Sequence, residues 1–195
     1  MHFSHISIGG GISGLETIIS AFNYIKSDLI KSKIKRKKFK FKKFTFAIIE
    51  KNPENIPGGV AYGFKNSKYG YFNNPIRLSP KKFIEWLLKK QNKKKIVRYL
   101  KKYGGYTGKK WLNNYNKVLF SPHMKKFKEL YMPRAVLNFW MEERLISLIS
   151  EMKSISNKLS IFFEIKFYKG EVVAFKEYKK KKLVKCYLKI IFVKN

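Results

Sequence analysis

Acidic residues are scarce in this sequence: 12 Asp and Glu stand against 44 Lys and Arg in 195 residues, a formal net charge of +32 at pH 7. An excess of that size makes polyanions the first partners to consider. Arginine is scarce as well, with only Arg36, Arg77, Arg98, Arg134 and Arg144 among the lysines. Nucleic-acid interfaces favour arginine for its bidentate fork. Lysine beside abundant Phe, Ile, Asn and Tyr is also what AT-rich codons produce, so charge alone leaves two readings open: selected polyanion binding and compositional drift. Cysteine occurs once, at Cys186, which excludes an internal disulfide and a paired-cysteine redox centre and fits a reducing compartment. No apolar run approaches the roughly 20 residues that cross a bilayer. The first residues lack the basic segment and small-residue cleavage site of a secretory signal. These absences point to a cytoplasmic protein without a membrane partner.

Hydrophobic residues make up 45% of the chain and aromatics 16%, enough to fill a sizeable core and to exclude a disordered basic tail. Residues 1–195 read as one domain. Residues 2–8 read as a strand that enters a glycine triplet. Leu15, Ile18, Ile19, Phe22, Ile25 and Leu29 then follow at helical spacing. The stretch "KSKIKRKKFKFKK", 31–43, has nine Lys and Arg and no acid, and reads as a solvated basic insertion. "FTFAIIE", 44–50, reads as a buried strand ending on an acid. "KNPENIPGGVAYG" reads as loop.

"LSPKKFIEWLLKK" opens a second helix, with Ser79 as its N-cap and Pro80 at the first helical position. Residues 89–128 form a lysine-rich helical insertion, with a short helix near Ile96 to Tyr103 and an interruption at "YGGYTGKKW". "MPRAVLNFWMEERLISLISEM" reads as a third helix whose apolar side is Val136, Phe139, Trp140, Leu145, Ile146 and Ile149. The β-rich runs "LSIFFEIKF", "GEVVAFKEY" and "LVKCYLKIIFV" follow, the last two joined by a turn at "KKKK", 179–182. The expected fold class is therefore α/β: a β-α-β unit, a helical insertion and a β-meander forming a small accessory sheet.

"GGGISG" satisfies the pattern G-x-G-x-x-G with Gly9, Gly11 and Gly14. Glycine triplets are common in turns, but a strand precedes this one, a helix follows, and the second strand ends in Glu50. Gly9 permits the tight turn, Gly11 lets a pyrophosphate approach the backbone, and Gly14 allows close helix–strand packing. The helix N-terminus offers free N–H groups and a positive dipole end to the anion. A carboxylate at Glu50 can accept hydrogen bonds from both ribose hydroxyls of an adenosine. Its interval from Gly14 exceeds the usual one of about 20 residues, and the basic insertion accounts for most of the excess.

Five later segments, in order, carry a resemblance. They are Gly59, Ala61, Tyr62 and Gly63; Phe72-Asn73-Asn74-Pro75 with Arg77 and Ser79; "FIEWLL"; "YMPRAVLNFW"; and "GEVVAF". Together they resemble a group of FAD/NAD(P)-binding flavoprotein oxidoreductases that includes urate-hydroxylase-like members. The match runs from Met1 to about Phe192, with the lysine-rich middle poorly matched. The resemblance implies a Rossmann-like FAD/NAD(P)-binding fold. Gly9, Gly10, Gly11, Ile12, Ser13 and Gly14 would hold the FAD pyrophosphate. Glu50, with Lys51 beside it, would hold the adenosine ribose, and Val172, or Val173 in a slipped register, would lie near the adenine. Asn73, Arg77 and Ser79 would lie on the isoalloxazine side. The bland readings are a turn and helix cap for 73–79 and a helix-start salt bridge for Arg134.

In that group the strand resembling "LKIIFV" leads into a Thr-Gly turn, a nicotinamide-binding segment and a final FAD-binding strand. The resemblance thus leads one to expect the N-terminal part of a longer enzyme. Its partners would be a small-molecule substrate, NAD(P)H as electron donor and, in a split gene, the C-terminal half as a separate chain. The competing reading is a basic module, or an inactive flavoprotein fragment, that meets nucleic acid or another polyanion through 31–43 and aromatics such as Phe39 and Phe41. No metal site is expected, because His2, His5 and His123 lack Cys or acidic neighbours at ligand spacing. Ser121-Pro122-His123 lacks a nucleophile-elbow context. The chemistry would come from the flavin, which the protein binds and orients.

Overall fold

The computed structural model describes residues 3–34, 43–121, 124–178 and 183–189. It divides into two units, residues 1–59 with 145–195, and residues 60–144. Most of the basic insertion at 31–43 and the turn at 179–182 lie outside the described residues.

The first unit is built on three parallel strands. β1 (His5–Ile8) pairs with β2 (Lys43–Glu50), and β2 pairs with β3 (Phe162–Lys169). The order β1-β2-β3 makes β2 the central strand, so residues 45–49 are buried without alternation, as a strand covered on both faces must be. Helix α1 (Ile12–Ile34) follows β1 after three glycines. Its stripe is as the spacing predicts: Leu15, Ile18, Phe22 and Leu29 are buried. Phe22 meets Phe163 edge-on, and Phe163 stacks on Phe44. The helix runs to Ile34, so the first residues of the basic segment continue α1.

The run "LSIFFEIKF" is not part of a meander. Its residues 162–167 lie in β3, which joins the parallel sheet in full register with β2, from Lys43↔Phe162 to Glu50↔Lys169. β1 covers only one edge of β2, and β3 takes the other; the order of runs along the chain does not specify that partner. Only β4 (Glu171–Tyr178) and β5 (Leu183–Lys189) form the accessory sheet, as an antiparallel pair. The segment 51–63, expected as loop, contains a 3-10 turn at Pro53–Asn55 and the one-turn helix α2 (Gly59–Tyr62).

The second unit is helical: α3 (Lys81–Leu88), α4 (Lys90–Tyr103), α5 (Gly105–Phe120), α6 (Met124–Lys128) and the first part of α7 (Arg134–Leu159). Its core holds Phe83, Leu87, Ile96, Leu100, Trp111, Phe127, Val136 and Met141. The insertion is thus more regular than its sequence suggests. Two helices pack on each other around a glycine corner where Gly105 has φ +58° and a Cβ on Gly108 would lie 3.1 Å from Leu100 Cδ2. Helix α3 begins one residue later than expected. The Pro80 carbonyl accepts the first helical bonds, from Phe83 and Ile84, so Pro80 rather than Ser79 is the cap. In α7 the expected apolar residue Ile146 is 67% exposed, while Asn138 is fully buried. Val136 and Trp140 are buried as expected, and the buried face also includes Ala135, Met141, Leu148 and Met152.

Candidate functional site

The carboxyl ends of β1, β2 and β3 form one edge of the parallel sheet, and the glycine turn closes it. The Gly9 N–H donates to the Ile49 carbonyl (2.8 Å), and Gly9 has φ +93°, a conformation in which side-chain-bearing residues are strained. A Cβ on Gly14 would overlap the Gly9 carbonyl oxygen and lie 2.6 Å from Ser7 Oγ. Both positions are therefore fixed by the protein itself, as the motif predicts. Gly11 is different: the nearest atom to a Cβ there would be Gly59 Cα at 3.7 Å, an ordinary contact. Gly10, which the motif leaves unspecified, is constrained. A Cβ would overlap the Ile56 side chain, and the Gly58 N–H donates to the Gly10 carbonyl (3.2 Å). Ile12 and Ser13 occupy the first turn of α1, half-buried and exposed respectively.

Glu50 reaches back to this turn. Its Oε2 accepts the Gly10 N–H at 2.7 Å, and its Oε1 accepts the Asn52 N–H at 3.0 Å. An ionised carboxylate has about four lone-pair sites, so two acceptor positions remain. The helix geometry of α1 leaves its first N–H groups without intrahelical acceptors, the earliest bond being Leu15 N–H to Gly11 O (3.1 Å). A carboxylate with spare acceptor sites and a helix N-terminus with spare donors thus lie side by side.

The start of β4 is brought to the same place. The Gly170 N–H donates to the Glu50 carbonyl (3.0 Å), and Lys51 Nζ lies 3.4 Å from Glu171 Oε2. Val172 is half-buried and in register with Leu188, whereas the strand register shifts between Val172 and Ala174 and leaves Val173 59% exposed. The first unit therefore gathers Gly9 to Gly14, Glu50 and Lys51 at one sheet edge, with the start of β4 beside Glu50 and Lys51.

Asn73, Arg77 and Ser79 belong to the second unit, where each has local work. Asn73 Oδ1 accepts from Arg134 Nη2 (3.4 Å), and Arg134 Nε donates to the Tyr71 carbonyl (3.0 Å). Arg134 thereby ties the chain around Tyr71 to the start of α7, and among the described residues it has no carboxylate partner, unlike the helix-start salt bridge weighed for it. Arg77 Nε pairs with Glu129 (3.0 Å). Ser79 is half-buried and donates its backbone N–H to the Ile76 carbonyl (2.9 Å).

Sequence reasoning missed one polar cluster in this unit. The buried Tyr99 hydroxyl donates to Asn138 Oδ1 (2.8 Å), and its ring stacks on Phe139. Burial, reinforced by the charge of nearby Glu142, pushes the Tyr99 phenol above its ordinary range. Burial also raises the Glu142 carboxyl, against a smaller lowering by its contact with Tyr99. A lone Asn among apolar helix positions is the only signal such a cluster leaves in a sequence.

Among the described residues no group of His, Cys, Asp and Glu could hold a metal ion, and no helix is long and apolar enough to cross a membrane. Comparison of the chain with protein-family models, with curated proteins and with solved structures gives no match.

Proposed function

We propose that the first unit binds the adenosine diphosphate half of FAD and that the chain serves a flavin-dependent, NAD(P)H-linked oxidoreductase acting on a small molecule. The observation that carries this reading is the Glu50 carboxylate held against the Gly10 amide at 2.7 Å. It joins the two halves of a dinucleotide site, phosphate donors and a ribose acceptor, at the carboxyl edge of a parallel β-α-β unit.

The residues present suit that group. The amides at the start of α1 would donate to the pyrophosphate. The two remaining acceptor positions of Glu50 would take the ribose hydroxyls. Gly11, the one motif glycine that neither a positive φ nor a close contact requires, would leave its backbone open to the phosphates. The Val172 backbone would flank the adenine. The preference for FAD over a nicotinamide dinucleotide rests on the ordered segments from Gly59 to Phe175 set out above. Bound FAD would supply the two-electron chemistry, and these residues bind and orient it.

The test is to purify the chain, add FAD, remove the excess and measure the retained flavin absorbance. Retention near one FAD per chain is expected. Glu50→Gln removes a charge-assisted acceptor of about 1.5–3 kcal/mol and should weaken retention roughly 10- to 150-fold. A colourless protein that takes up no added FAD would overturn the proposal.

A further inference from the structure

Between Glu85 and Glu129 the sequence contains no acidic residue, while Lys and Arg occur fourteen times. Most of these cations lie on α4 and α5, and the fold does not neutralise them all. Lys95 pairs with Glu143 (2.6 Å), Lys93 is buried with its Nζ over the Phe127 ring, and Lys102 and Lys110 lie over Tyr103 and Tyr106. Lys90, Lys94, Arg98, Lys101, Lys109 and Lys117 have no carboxylate partner among the described residues, and all six are exposed.

Where α4 and α5 meet, a groove of about 310 Å³ is lined by Val97, Lys101, Leu112, Asn113, Asn116 and Lys117. Its apolar floor is flanked by two ammonium groups and two amides. Lys94, Arg98 and Lys101 follow one another at helical spacing on α4, as do Lys109, Asn113 and Lys117 on α5, so the cations form stripes that lead to the groove. Tyr106, 78% exposed with Lys110 over one part of its ring, and Tyr115, 38% exposed beside Trp111, stand on α5 as partly open aromatic surfaces.

We propose that this groove binds single-stranded RNA. Lysine ammonium groups meet phosphates as point charges and need no fixed base geometry. Asparagine amides both donate and accept, matching a 2′-hydroxyl, which does the same. Exposed tyrosines offer stacking faces to unpaired bases. A membrane surface fits less well. The apolar residues of α4 and α5 that would insert, Ile96, Leu100, Trp111 and Leu119, are already buried in the core. The assignment is independent of the flavin reading, since no residue of the glycine turn takes part.

The test measures fluorescence anisotropy of a labelled uridine oligomer of about 16 nucleotides with the full chain, across a salt series. For single strands, log K falls with log salt by about 0.7 per phosphate neutralised. The double variant Lys101→Gln/Lys117→Gln should lower that slope by about 1.4 and weaken binding about 25-fold at 0.1 M salt. The charge-matched control Lys153→Gln/Lys158→Gln, on exposed positions of α7 outside this unit, should change affinity less than about 2-fold. Circular dichroism of each variant checks that the helices are retained. Several results would overturn the proposal: no binding at low salt, equal loss in the control, or equal or tighter binding of a thymidine oligomer, a duplex or phosphatidylserine vesicles.

Discussion

The glycine turn and the α4–α5 pair handle charge and space in opposite ways. At the turn, the acid Glu50 is held by two backbone amides, and Lys51 stands opposite Glu171. The positive φ of Gly9 and close contacts at Gly10 and Gly14 leave little room for substitution. On α4 and α5 the constraint is apolar burial, through Ile96, Leu100, Trp111 and Leu119, and the outward face carries cations without acids. Backbone contacts therefore specify residues one by one, whereas a packed helix face specifies only a pattern and leaves its other face to composition.

The largest effect that can test this contrast is at Trp111, whose side chain is fully buried and whose Nε1–H donates to the Tyr131 carbonyl (3.0 Å). Trp111→Ala should destabilise the protein by about 3–5 kcal/mol in urea unfolding. A loss under about 1 kcal/mol would mean that the helical unit does not depend on that core. Next come two glycines three residues apart. Gly14→Ala places a methyl against the Gly9 carbonyl and should cost about 1–3 kcal/mol. Gly11→Ala meets only Gly59 at 3.7 Å and should change stability by less than about 0.5 kcal/mol while reducing FAD retention. If the two variants were equally destabilised, the turn would be rigid throughout rather than open at one position.

The smallest effect concerns Glu142. Burial raises its carboxyl pKa in the folded state, so the folded protein holds that proton more tightly than the unfolded chain does. Its contribution to stability is therefore greatest below the ordinary carboxylate range and declines as pH rises through that range toward the raised value. The group is half exposed, which keeps the effect under about 1 kcal/mol. Glu142→Gln should flatten that part of the pH–stability curve and leave the remainder unchanged. An unaltered slope would show that Glu142 is solvated as fully as a surface acid.

The same contrast decides what could be read from the sequence. β2, α1 and the acid at Glu50 were legible because glycine spacing and a continuous apolar run have few structural meanings. The packing constraint on Gly10 has no sequence signal, since it comes from Ile56, forty-six positions away along the chain and brought close only by folding. The strand Phe162–Lys169 was grouped with its sequence neighbours because alternation says nothing about which edge a strand will join. Ser79 was chosen as a cap by residue type, yet Pro80, with an extended ψ of 136°, supplies the capping carbonyl. The groove between α4 and α5 left no motif, because its lining residues become neighbours only when the two helices pack.

The pairing of β2 with β3 also sets a timetable for synthesis. β2 ends at Glu50 and β3 begins at Phe162, so more than a hundred residues must be made before the second edge of β2 acquires its partner. At about 5–20 residues per second this is an interval on the order of 10 s. During it, a strand containing Phe44, Phe46, Ile48 and Ile49 presents unpaired backbone groups, the kind of edge through which nascent chains associate. The chain made in that interval carries 24 Lys and Arg against six Glu, and its like charge opposes the approach of a second copy.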